Sequence, residues 1–308
     1  MQLSEYRQRL TDVYGNTTTS DDTFYNRIIN DAYRKLCAIS DWWWLETYEV
    51  LTFNAPVVTG KAFDCVNGTA DIVASAAGEA VGTAYLNGWV FTGEHTYRLL
   101  EIDTGASGLT YTLDSEFIET SSAYSITFWN DMQTLSTAYD HAVSLVPRLD
   151  PNRKPLQHVE LPEIEQYGPD VTPHYNDVAH MFATYRETTI DPDQTRLRIF
   201  PPPSETCEYV LRYIQTPSDM SSDTAVAMVP TKHEGVLVDM SRLELLIVTG
   251  ADQSEIAFWQ NQVNMGLARI ISDQHKRGNV QRRFGRRGVV REQLLPYRLT
   301  NYTTGDPI

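Results

Sequence analysis

Apolar residues recur at helical spacing near the start of the chain. The pattern predicts a first helix over residues 3–14, ended by Gly15, and a second helix over 22–39. The apolar positions of the first are Leu3, Tyr6, Leu10 and Val13. Those of the second are Phe24, Ile28, Ala32, Leu36 and Ile39. Charged residues occupy the other faces of the second helix, which is typical of an amphipathic helix with one buried side.

The same period returns after Pro230. One apolar stripe is formed by Val236, Met240, Leu243 and Ile247. Gly250 follows at the place where a glycine commonly ends a helix. Asp252, with Glu255 three positions later, then predicts the start of another helix. The apolar stripe of that helix is formed by Ile256, Trp259, Val263, Leu267 and Ile270. Gly278 follows it.

Between these helices the pattern changes to short β-rich runs separated by Gly, Ser, Asn and Asp. Their spacing of roughly ten residues predicts a small barrel or sandwich. Residues 88–117 predict three successive antiparallel strands of an SH3-like barrel. The runs 195–203 and 207–215 predict a hairpin that completes the sheet, and 147–178 predicts a long loop or arm.

These elements together predict an α+β protein. We expect a helical bundle built from both chain ends, a large inserted antiparallel β region (SH3-like barrel or sandwich), and an extended C-terminal tail. The expected parts are 1–45 for the N-terminal helices of the bundle, 46–225 for the β-rich insertion, 226–275 for the C-terminal helical pair, and 276–308 for the extended basic tail.

A run of three tryptophans, "DWWWLE", stands where the second helix is expected to end. Three consecutive side chains cannot lie on one face of a single helix or strand. We therefore expect one ring to enter the helical core, another to face the β region, and a third to meet a neighbouring subunit, where tryptophan is a preferred anchor. The residues expected to serve bundle and subunit packing are Trp42, Trp43, Trp44 and Trp259.

The composition argues against several classes of protein. The 308 residues contain no stretch of about twenty apolar residues, so we expect no transmembrane helix. The start is polar and lacks the apolar core of a signal peptide. Cys37, Cys65 and Cys207 are few and widely separated, which predicts reduced structural thiols rather than disulfides or a zinc site. We expect a protein made and assembled in the cytoplasm.

Charge is distributed unevenly along the chain. The formal net charge is −15, yet residues 275–291 contain seven Lys or Arg and no acid, which leaves 18 of the 25 basic residues to oppose 40 acids elsewhere. A basic tail on an acidic body indicates a segment that reaches a partner. The candidate docking residues are Lys276, Arg277, Arg282, Arg283, Phe284, Arg286, Arg287 and Arg291.

Three interpretations of this tail remain open. It is a solvated end, it neutralises nucleic-acid phosphates, or its arginines form forked contacts with carboxylates of a partner protein. Phe284 and the apolar segments "VV" and "LLPY" interleave with the charges. This favours docking on protein.

Motifs of catalysis and metal binding are absent from the sequence. There is no GxSxG, no phosphate-binding GxxxxGK[ST] and no GxGxxG, and position 237 is Leu, which breaks an HExxH motif beginning at His233. Glu160, Glu163 and Glu165 form an acidic cluster. Such a cluster is more often a solvated loop than the pair of catalytic carboxylates of a glycosidase. We therefore expect no enzymatic activity, no catalytic or metal-ligating residues and no cofactor.

The layout resembles the head-to-tail adaptor, or connector, proteins of tailed bacteriophages, of the tail tubular A type. The resemblance is carried by "YNRIINDAYRKLCAISDWWWLE" and by "MVPTKHEGVLVDMSRLELLI" followed by "DQSEIAFWQNQVNMGLARIISDQHKR". The second part has a proline, a helix with a His near its start, an acidic turn and a second long helix, which are typical of that family. The match covers both chain ends, about a third of the chain.

The resemblance implies a structural virion protein at the head–tail junction. It implies a ring, commonly of twelve copies, that binds the portal through its C-terminal tail and passes double-stranded DNA through its lumen. It also implies that the β region faces proteins of the tail nozzle, tube or fibres. The acidic body fits such a lumen, since like charge keeps the duplex from sticking.

Two other functions compete with this one. Many aromatics in the β region suggest a carbohydrate-binding or depolymerising tail protein, although barrel cores use aromatics in any case. Those aromatics are Tyr85, Trp89, Tyr97, Tyr111 and Tyr124. The basic segment 275–291 suggests a nucleic-acid-binding module, which the acidic body disfavours.

Overall fold

The structure of the chain is a computed structural model. The residues it describes are 1–14, 19–59, 63–74, 83–103, 110–120, 122–149, 154–166, 179–187 and 194–284. They belong to two compact units. One consists of Met1–Leu36 with Met220–Ile308, and the other of Cys37–Asp219. The second unit therefore contains the tryptophan run, which the sequence had placed with the N-terminal helices.

Five α-helices lie in the described residues. They are α1 (Leu3–Tyr14), α2 (Thr19–Ala38), α3 (Leu161–Glu165), α4 (Glu234–Thr249) and α5 (Gln253–Phe284). The predictions for α1, α2 and α4 are confirmed to within a few residues. α5 is longer than predicted, because residues 276–284 of the expected extended tail continue the helix. Residues 285–308 of that tail lie outside the described residues.

Strands outnumber helices in the described residues, with fifteen strands in three sheets. The predicted fold class is therefore wrong, since the protein is built mainly on sheets and is not a helical bundle formed by both chain ends. A bundle requires helices that surround a shared core. Here α4 packs mainly on α5, and α1 contacts α4. The repeated short strands, not the helices, set the architecture.

Two polar side chains of α2 form hydrogen bonds with chain that lies outside the helices. The Asn30 side chain accepts a hydrogen bond from the Met220 amide (2.9 Å) and donates one to the Met220 carbonyl (3.1 Å). The Tyr33 hydroxyl accepts a hydrogen bond from the amide of Met228 (3.1 Å). Such bonds satisfy buried polar groups that periodicity alone does not reveal.

The largest sheet has eight strands and curls around its own core. Its strands are β2 (Val57–Val58), β3 (Phe63–Cys65), β4 (Asp71–Ala74), β5 (Trp89–Phe91), β6 (Thr96–Asp103), β7 (Thr110–Leu113), β8 (Ser122–Tyr124) and β9 (Thr127–Trp129). The order is β2-β9-β5-β6-β7-β4-β3-β8. The prediction that 88–117 forms three successive antiparallel strands is confirmed by β5, β6 and β7.

Two smaller sheets complete the same unit. The four-stranded sheet has the order β10-β14-β13-β12, and the three-stranded sheet the order β1-β15-β11. Their strands are β1 (Glu46–Phe53), β10 (Met132–Thr134), β11 (Tyr139–Pro147), β12 (Gln157–His158), β13 (Met181–Glu187), β14 (Gln194–Phe200) and β15 (Cys207–Gln215). One apolar core, which includes Leu51, Phe182 and Leu211, contains residues from both sheets.

The predicted hairpin of 195–203 and 207–215 is wrong. β14 pairs with β13 and β10, whereas β15 pairs with β1 and β11 in the other sheet. Three consecutive prolines, 201–203, separate the two strands, and proline cannot donate a ladder hydrogen bond. The chain therefore leaves one sheet and enters another. The prediction of a single barrel or sandwich fails for the same reason.

Candidate functional site

The predicted docking tail begins inside α5. Lys276 is exposed on this helix. Arg277, Arg282, Arg283 and Phe284 belong to its last turns. The remaining predicted docking residues, Arg286, Arg287 and Arg291, lie outside the described residues. The first basic residues of the tail are thus held in a helix, whose position depends on α4.

A tight turn joins α4 to α5. Gly250 has a φ of 71°, in the left-handed region, which glycine adopts at little cost. Its amide and that of Ala251 donate to carbonyls of the last turn of α4, the latter to Leu246 at 3.0 Å. These bonds satisfy helix-end carbonyls, so the predicted role of Gly250 is confirmed.

The two helices approach closely in the middle of this hairpin. A Cβ placed on Gly266 of α5 would lie 2.6 Å from Cγ2 of Val236 on α4. Real carbon atoms do not approach so closely without overlap, so any larger residue would push the helices apart. Gly266 therefore fixes how α5 lies on α4.

Charged contacts join the start of α4 to the later part of α5. Lys232 pairs with Asp273, and His233 Nε2 lies 3.2 Å from Asp273 Oδ2. The hydrogen bond from Lys232 lowers the pKa of the Asp273 carboxyl below its ordinary value. Residues 274–284 continue α5 beyond this contact. The basic segment therefore begins on α5, just beyond the contact of Asp273 with the start of α4.

The tryptophan run divides into a buried pair and a partly exposed ring. Trp42 and Trp44 are buried and stack with ring centroids 5.0 Å apart and planes 8° apart. Trp43 is half-buried and meets Trp44 edge-on at 5.6 Å. Trp43 is therefore the member of the run with surface left for a further contact.

Trp259 packs in the α4–α5 hairpin. The Arg242 guanidinium lies 4.9 Å from its ring centroid, a cation–π contact between the two helices. The neighbouring Phe258 ring lies 5.4 Å away, edge-on. Trp259 thus binds α5 to α4 while Phe258 remains on the surface.

The outward side of the three-stranded sheet carries an apolar row. Val50, Val210 and Val146 lie side by side on β1, β15 and β11. Tyr48, two residues before Val50, is 72% exposed, and Val50 is 41% exposed. With Trp43 and Arg212, these residues form what we term the outer sheet face. A depression of about 410 Å³ on it is lined by Trp43, Glu46, Thr47, Tyr48, Val210 and Arg212.

Ion pairs flank the apolar row of the outer sheet face. Arg212 pairs with Glu46 on the Tyr48 side. Arg148 pairs with Glu208 at 2.6 Å on the other side. Both pairs are solvent-accessible, so each contributes little to stability.

A second apolar surface lies on one side of α5. Glu255, Phe258, Met265 and Arg269 are spaced so that they share one helical face, which we term the α5 side face. Phe258 is 55% exposed and Met265 is 42% exposed. It differs from the α4-facing stripe, whose members Val263 and Ile270 are buried. Between Glu255 and Asp273 the sequence has no acid, and its one charged residue is Arg269.

Cys65 lies within electrostatic range of the buried carboxylate of Glu119. Glu119 is buried, accepts a hydrogen bond from the Thr92 hydroxyl, and lies 3.2 Å from His95 Nδ1. Burial, followed by the charges of Glu119 and Asp64, raises the pKa of the Cys65 thiol to about 12. The thiolate that nucleophilic attack requires is therefore scarce near neutral pH.

A buried ionic cluster joins the eight-stranded and four-stranded sheets. Arg198 Nε donates to Asp131 Oδ2 (2.8 Å), and Trp89 Nε1 donates to Asp131 Oδ1 (2.9 Å). Arg98 pairs with Glu187 at 2.7 Å. Burial acts to lower the pKa of Arg198, but the charge and hydrogen bond of Asp131 outweigh it and raise that pKa. These ion pairs and hydrogen bonds link the two sheets.

The acidic cluster of the sequence lies on and beside α3. Glu160, Glu163 and Glu165 are all exposed. Glu160 and Glu163 border a second depression of about 390 Å³, together with His158, whose pKa is lowered by burial. Among the described residues, no group of three or more His, Cys, Asp or Glu side chains has the arrangement of a metal site.

The aromatic residues that suggested carbohydrate binding lie mostly in the core. Tyr85, Tyr97 and Tyr111 are buried, and Trp89 donates its N–H to Asp131. The side chain of Tyr124 lies outside the described residues. Rings buried in the core that a sheet covers cannot stack on a sugar, so these residues do not form an exposed binding platform.

Sequence reasoning missed the outer sheet face, although a signal exists in "ETYEVLTF". Leu51 and Phe53 are the buried set of β1, and Tyr48 and Val50 are the exposed set. Both sets are apolar. A strand that is apolar on both faces is typical of a sheet covered on both sides.

A scan against models of known protein families gives no match, and a search of curated proteins gives none either. None of the described helices combines the length and the apolar character that crossing a membrane requires. The site must therefore be interpreted from its own geometry.

Proposed function

We propose that this protein is a head-to-tail adaptor of a tailed bacteriophage. It forms a ring, commonly of twelve copies in the family it resembles, that joins the portal to the tail. Its location is the head–tail junction of the virion, after assembly in the host cytoplasm. Its partners are further copies of itself, the portal protein, and proteins of the tail nozzle, tube or fibres. It acts as a structural protein rather than as an enzyme.

The observation that carries this proposal is that α5 continues as helix into the basic segment, as far as Phe284. Gly266 of α5 packs against α4, and Asp273 of α5 pairs with Lys232, which lies just before α4. α5 then continues as helix to Phe284. A helix that is anchored to its neighbour gives the segment that follows a fixed starting point, which lowers the entropy cost of docking. Such a device suits insertion into a preformed partner such as a portal.

Charge also supports the proposal. The 40 acidic residues outnumber the 25 basic ones, and seven of the basic residues are concentrated in 275–291. A ring whose walls are acidic repels the DNA phosphates, so duplex DNA slides through the lumen without sequence-specific binding. The basic segment is then free to bind protein carboxylates through forked arginine contacts.

The test is binding to the portal protein of the same phage. Electron microscopy of the full chain mixed with portal is expected to show an adaptor ring seated on the portal. Replacing Arg277, Arg282 and Arg283 by Gln should weaken portal binding by at least tenfold, as loss of charge-assisted contacts predicts. The matched control replaces the exposed Arg9, Arg34 and Lys154 by Gln and should bind like the wild type. A full chain that never binds portal contradicts the proposal.

The same variants separate this function from nucleic-acid binding. A nucleic-acid module requires duplex binding that weakens steeply with salt and is lost in the triple Gln variant. The adaptor requires portal binding to be lost instead. Measuring both ligands with one set of proteins decides between them.

A further inference from the structure

Natural proteins protect the strands at the edges of their sheets, because an edge strand leaves backbone N–H and C=O groups free to pair with another chain. In the described residues the three sheets have six edges. Four of them are strands of two or three residues, namely β2, β8, β10 and β12. The other two, β1 with eight residues and β11 with nine, bound the three-stranded sheet. Only these two are long enough to pair with a strand of ordinary length.

β11 carries two of the devices that protect an edge. Its register with β15 shifts twice, once after Tyr139 and once after Ala142, so irregularities interrupt the strand. The carbonyl of Leu145 also accepts a hydrogen bond from the amide of Leu156 at 2.8 Å. A later segment of the chain therefore already occupies part of this edge.

β1 is regular along its whole length. It pairs with β15 over all eight residues without a shift in register. The carbonyl of Leu45, directly before the strand, accepts a hydrogen bond from the amide of Gln215 at 3.0 Å. Hydrogen-bonded positions alternate along an antiparallel ladder, so the odd-numbered residues of β1 bond to β15. The even-numbered residues direct their N–H and C=O groups to the free edge.

In the part of the chain that the structure describes, the free edge of β1 is open along most of its length. The carbonyl of Thr52 accepts a hydrogen bond from Nε2 of Gln133 at 2.8 Å, which closes one end. Glu46, Tyr48 and Val50 remain, and Tyr48 and Val50 are 72% and 41% exposed. Their outward N–H and C=O groups are arranged to accept a further strand.

Glu49 sets a chemical requirement for that strand. Its side chain lies on the side of β1 that carries the buried Leu51 and Phe53. Among the described residues, Oε2 of Glu49 is buried and has no hydrogen-bond partner. An unsatisfied buried carboxylate oxygen is costly, and opposite charges on adjacent strands stabilise a sheet. The added strand should therefore place Lys or Arg beside Glu49.

Two parts of the chain fail this requirement. A second copy of β1 would bring its own Glu46 and Glu49 beside those of the first, and like charges on adjacent strands are destabilising. Residues 167–178, which lie outside the described residues, contain two prolines and no Lys or Arg. Proline cannot donate a ladder hydrogen bond. Neither segment therefore suits the edge of β1.

Residues 297–304 meet the requirement. Their sequence, "YRLTNYTT", lies between Pro296 and Gly305, and five of its eight residues are Tyr or Thr. This pattern predicts a strand of the same length as β1. Its one charged residue is Arg298. The run thus supplies both the strand and the cation.

We propose that residues 297–304 of a neighbouring copy pair antiparallel to β1 as a fourth strand of its sheet, with Arg298 beside Glu49. The neighbouring pairs then match in character, apolar with apolar and Thr with Thr. They are Tyr297 with Val50, Leu299 with Tyr48, and Thr300 with Thr47. The parallel arrangement with the same ion pair would set Thr300 beside the buried Leu51 instead. The antiparallel direction is therefore the one that the side chains select.

The choice of a neighbouring copy rests on the proposed adaptor ring. Each copy of a ring must offer one surface and receive a different one, and residues 297–304 and the edge of β1 form such a pair. Five residues lie between Arg291 and Tyr297. When extended, this connection spans about 20 Å. The basic segment can thus remain on the portal while the residues that follow pair with the next copy.

Hydrogen exchange of the full chain tests the pairing directly. In the assembled chain, the amides of Tyr48 and Val50 should exchange as slowly as those of Glu49 and Leu51, which β15 already protects. Arg298→Glu should speed exchange at the two even-numbered positions by roughly tenfold or more and leave the odd-numbered ones unchanged. Arg298→Lys, which keeps the charge, should behave like the wild type. Glu49→Arg combined with Arg298→Glu should restore slow exchange, because the ion pair forms again in reverse.

Proline variants test which N–H groups take part. Val50→Pro removes an outward N–H of β1 and costs no hydrogen bond to β15, and Leu299→Pro removes an N–H that the added strand directs at β1. In sedimentation velocity, each variant alone should self-associate more weakly than the wild type by roughly tenfold or more. An equal mixture of the two should form a dimer, because each variant keeps one intact half of the contact.

Matched controls separate a lost pairing from a lost fold. Val50→Thr keeps the outward N–H, and Thr300→Pro removes an N–H that is directed away from β1. Both should assemble like the wild type. Circular dichroism should show that all four variants keep the secondary structure of the wild type.

Fast exchange at Tyr48 and Val50 in the wild type at every concentration would overturn the proposal, and so would equal effects of Leu299→Pro and Thr300→Pro. Slow exchange that persists in a monomer would show that the chain's own residues 297–304 occupy the edge, which overturns pairing between copies. Portal binding is measured separately. Pairing at β1 without portal binding counts against the adaptor function alone, and portal binding with a free β1 edge counts against this pairing alone.

Discussion

The two faces of the three-stranded sheet use the same kinds of residue for different purposes. On β1, Leu51 and Phe53 are almost fully buried, whereas Tyr48 and Val50 are 72% and 41% exposed. β15 repeats the alternation, with Leu211 inside and Val210 on the outer face. The inner face meets the core shared with the four-stranded sheet, and the outer face has an apolar row of its own. The difference shows that apolar character alone does not identify the core of this protein.

α5 shows the same contrast on a helix. Val263 and Ile270 are buried on the stripe next to α4, while Phe258 and Met265 remain exposed on the α5 side face. Gly266 lies on the buried stripe and packs directly against Val236. In both elements one apolar side is buried by folding, and the other stays exposed in the single chain.

The largest expected effect comes from truncating one residue on each face of β1. Phe53→Ala removes a fully buried ring and should lower the free energy of unfolding of the β unit by about 3–5 kcal/mol. Tyr48→Ala, on the same strand, should change it by less than about 0.5 kcal/mol. Urea unfolding followed by tryptophan fluorescence measures both. Equal losses would show that the outer face also contributes to the fold of the single chain.

Charges allow the same comparison between interior and surface. Asp131→Asn leaves the buried Arg198 without its counter-charge and should cost about 3–5 kcal/mol. Glu208→Gln breaks the exposed pair with Arg148 and should cost less than about 1 kcal/mol. Urea unfolding of the two variants in parallel provides the measurement. A mild effect of Asp131→Asn would mean that water reaches the cluster.

A smaller effect is expected where α5 crosses α4. Gly266→Ala places a methyl group against Val236 and should destabilise the helical unit by about 1–3 kcal/mol. Gly235→Ala, where an added Cβ meets nothing within 4 Å, serves as the control and should be neutral or slightly stabilising. Thermal unfolding followed by circular dichroism at 222 nm compares them. Similar melting curves for the two would show that Gly266 does not position α5.

Local pattern predicted the helices well because their signals are local. The apolar period and Gly250 identified α4 closely, and the stripe of Leu3, Tyr6 and Leu10 identified α1. The longer extent of α5 was missed because Gly278 was taken as its end, although a glycine inside a long helix costs only about 1 kcal/mol.

Sheet pairing could not be derived in the same way. β1 pairs with β15, more than 150 residues later, and no local feature of "ETYEVLTF" selects that partner. The hairpin expected between β14 and β15 failed because three prolines redirect the chain, and the bundle failed because strands dominate the architecture. Cross-strand partners depend on tertiary packing, which a single sequence does not display.

The candidate surfaces were predictable only in part. The sequence drew attention to Trp43 within the tryptophan run, and the structure leaves that ring half-buried beside a depression. Tyr48, Val50, Phe258 and Met265 were not singled out, because an apolar residue in a regular pattern is usually assigned to the core. Their exposure becomes visible only when the buried set of each element is known.

We propose that this chain forms a ring that seats on a portal. The most direct measurement is electron microscopy of the full chain mixed with the portal protein of the same phage, at a molar excess of the chain. We expect a ring of repeated copies on one end of the portal, with α5 and the basic segment directed into it. Portal particles that remain bare, with the chain monomeric in solution, would contradict it.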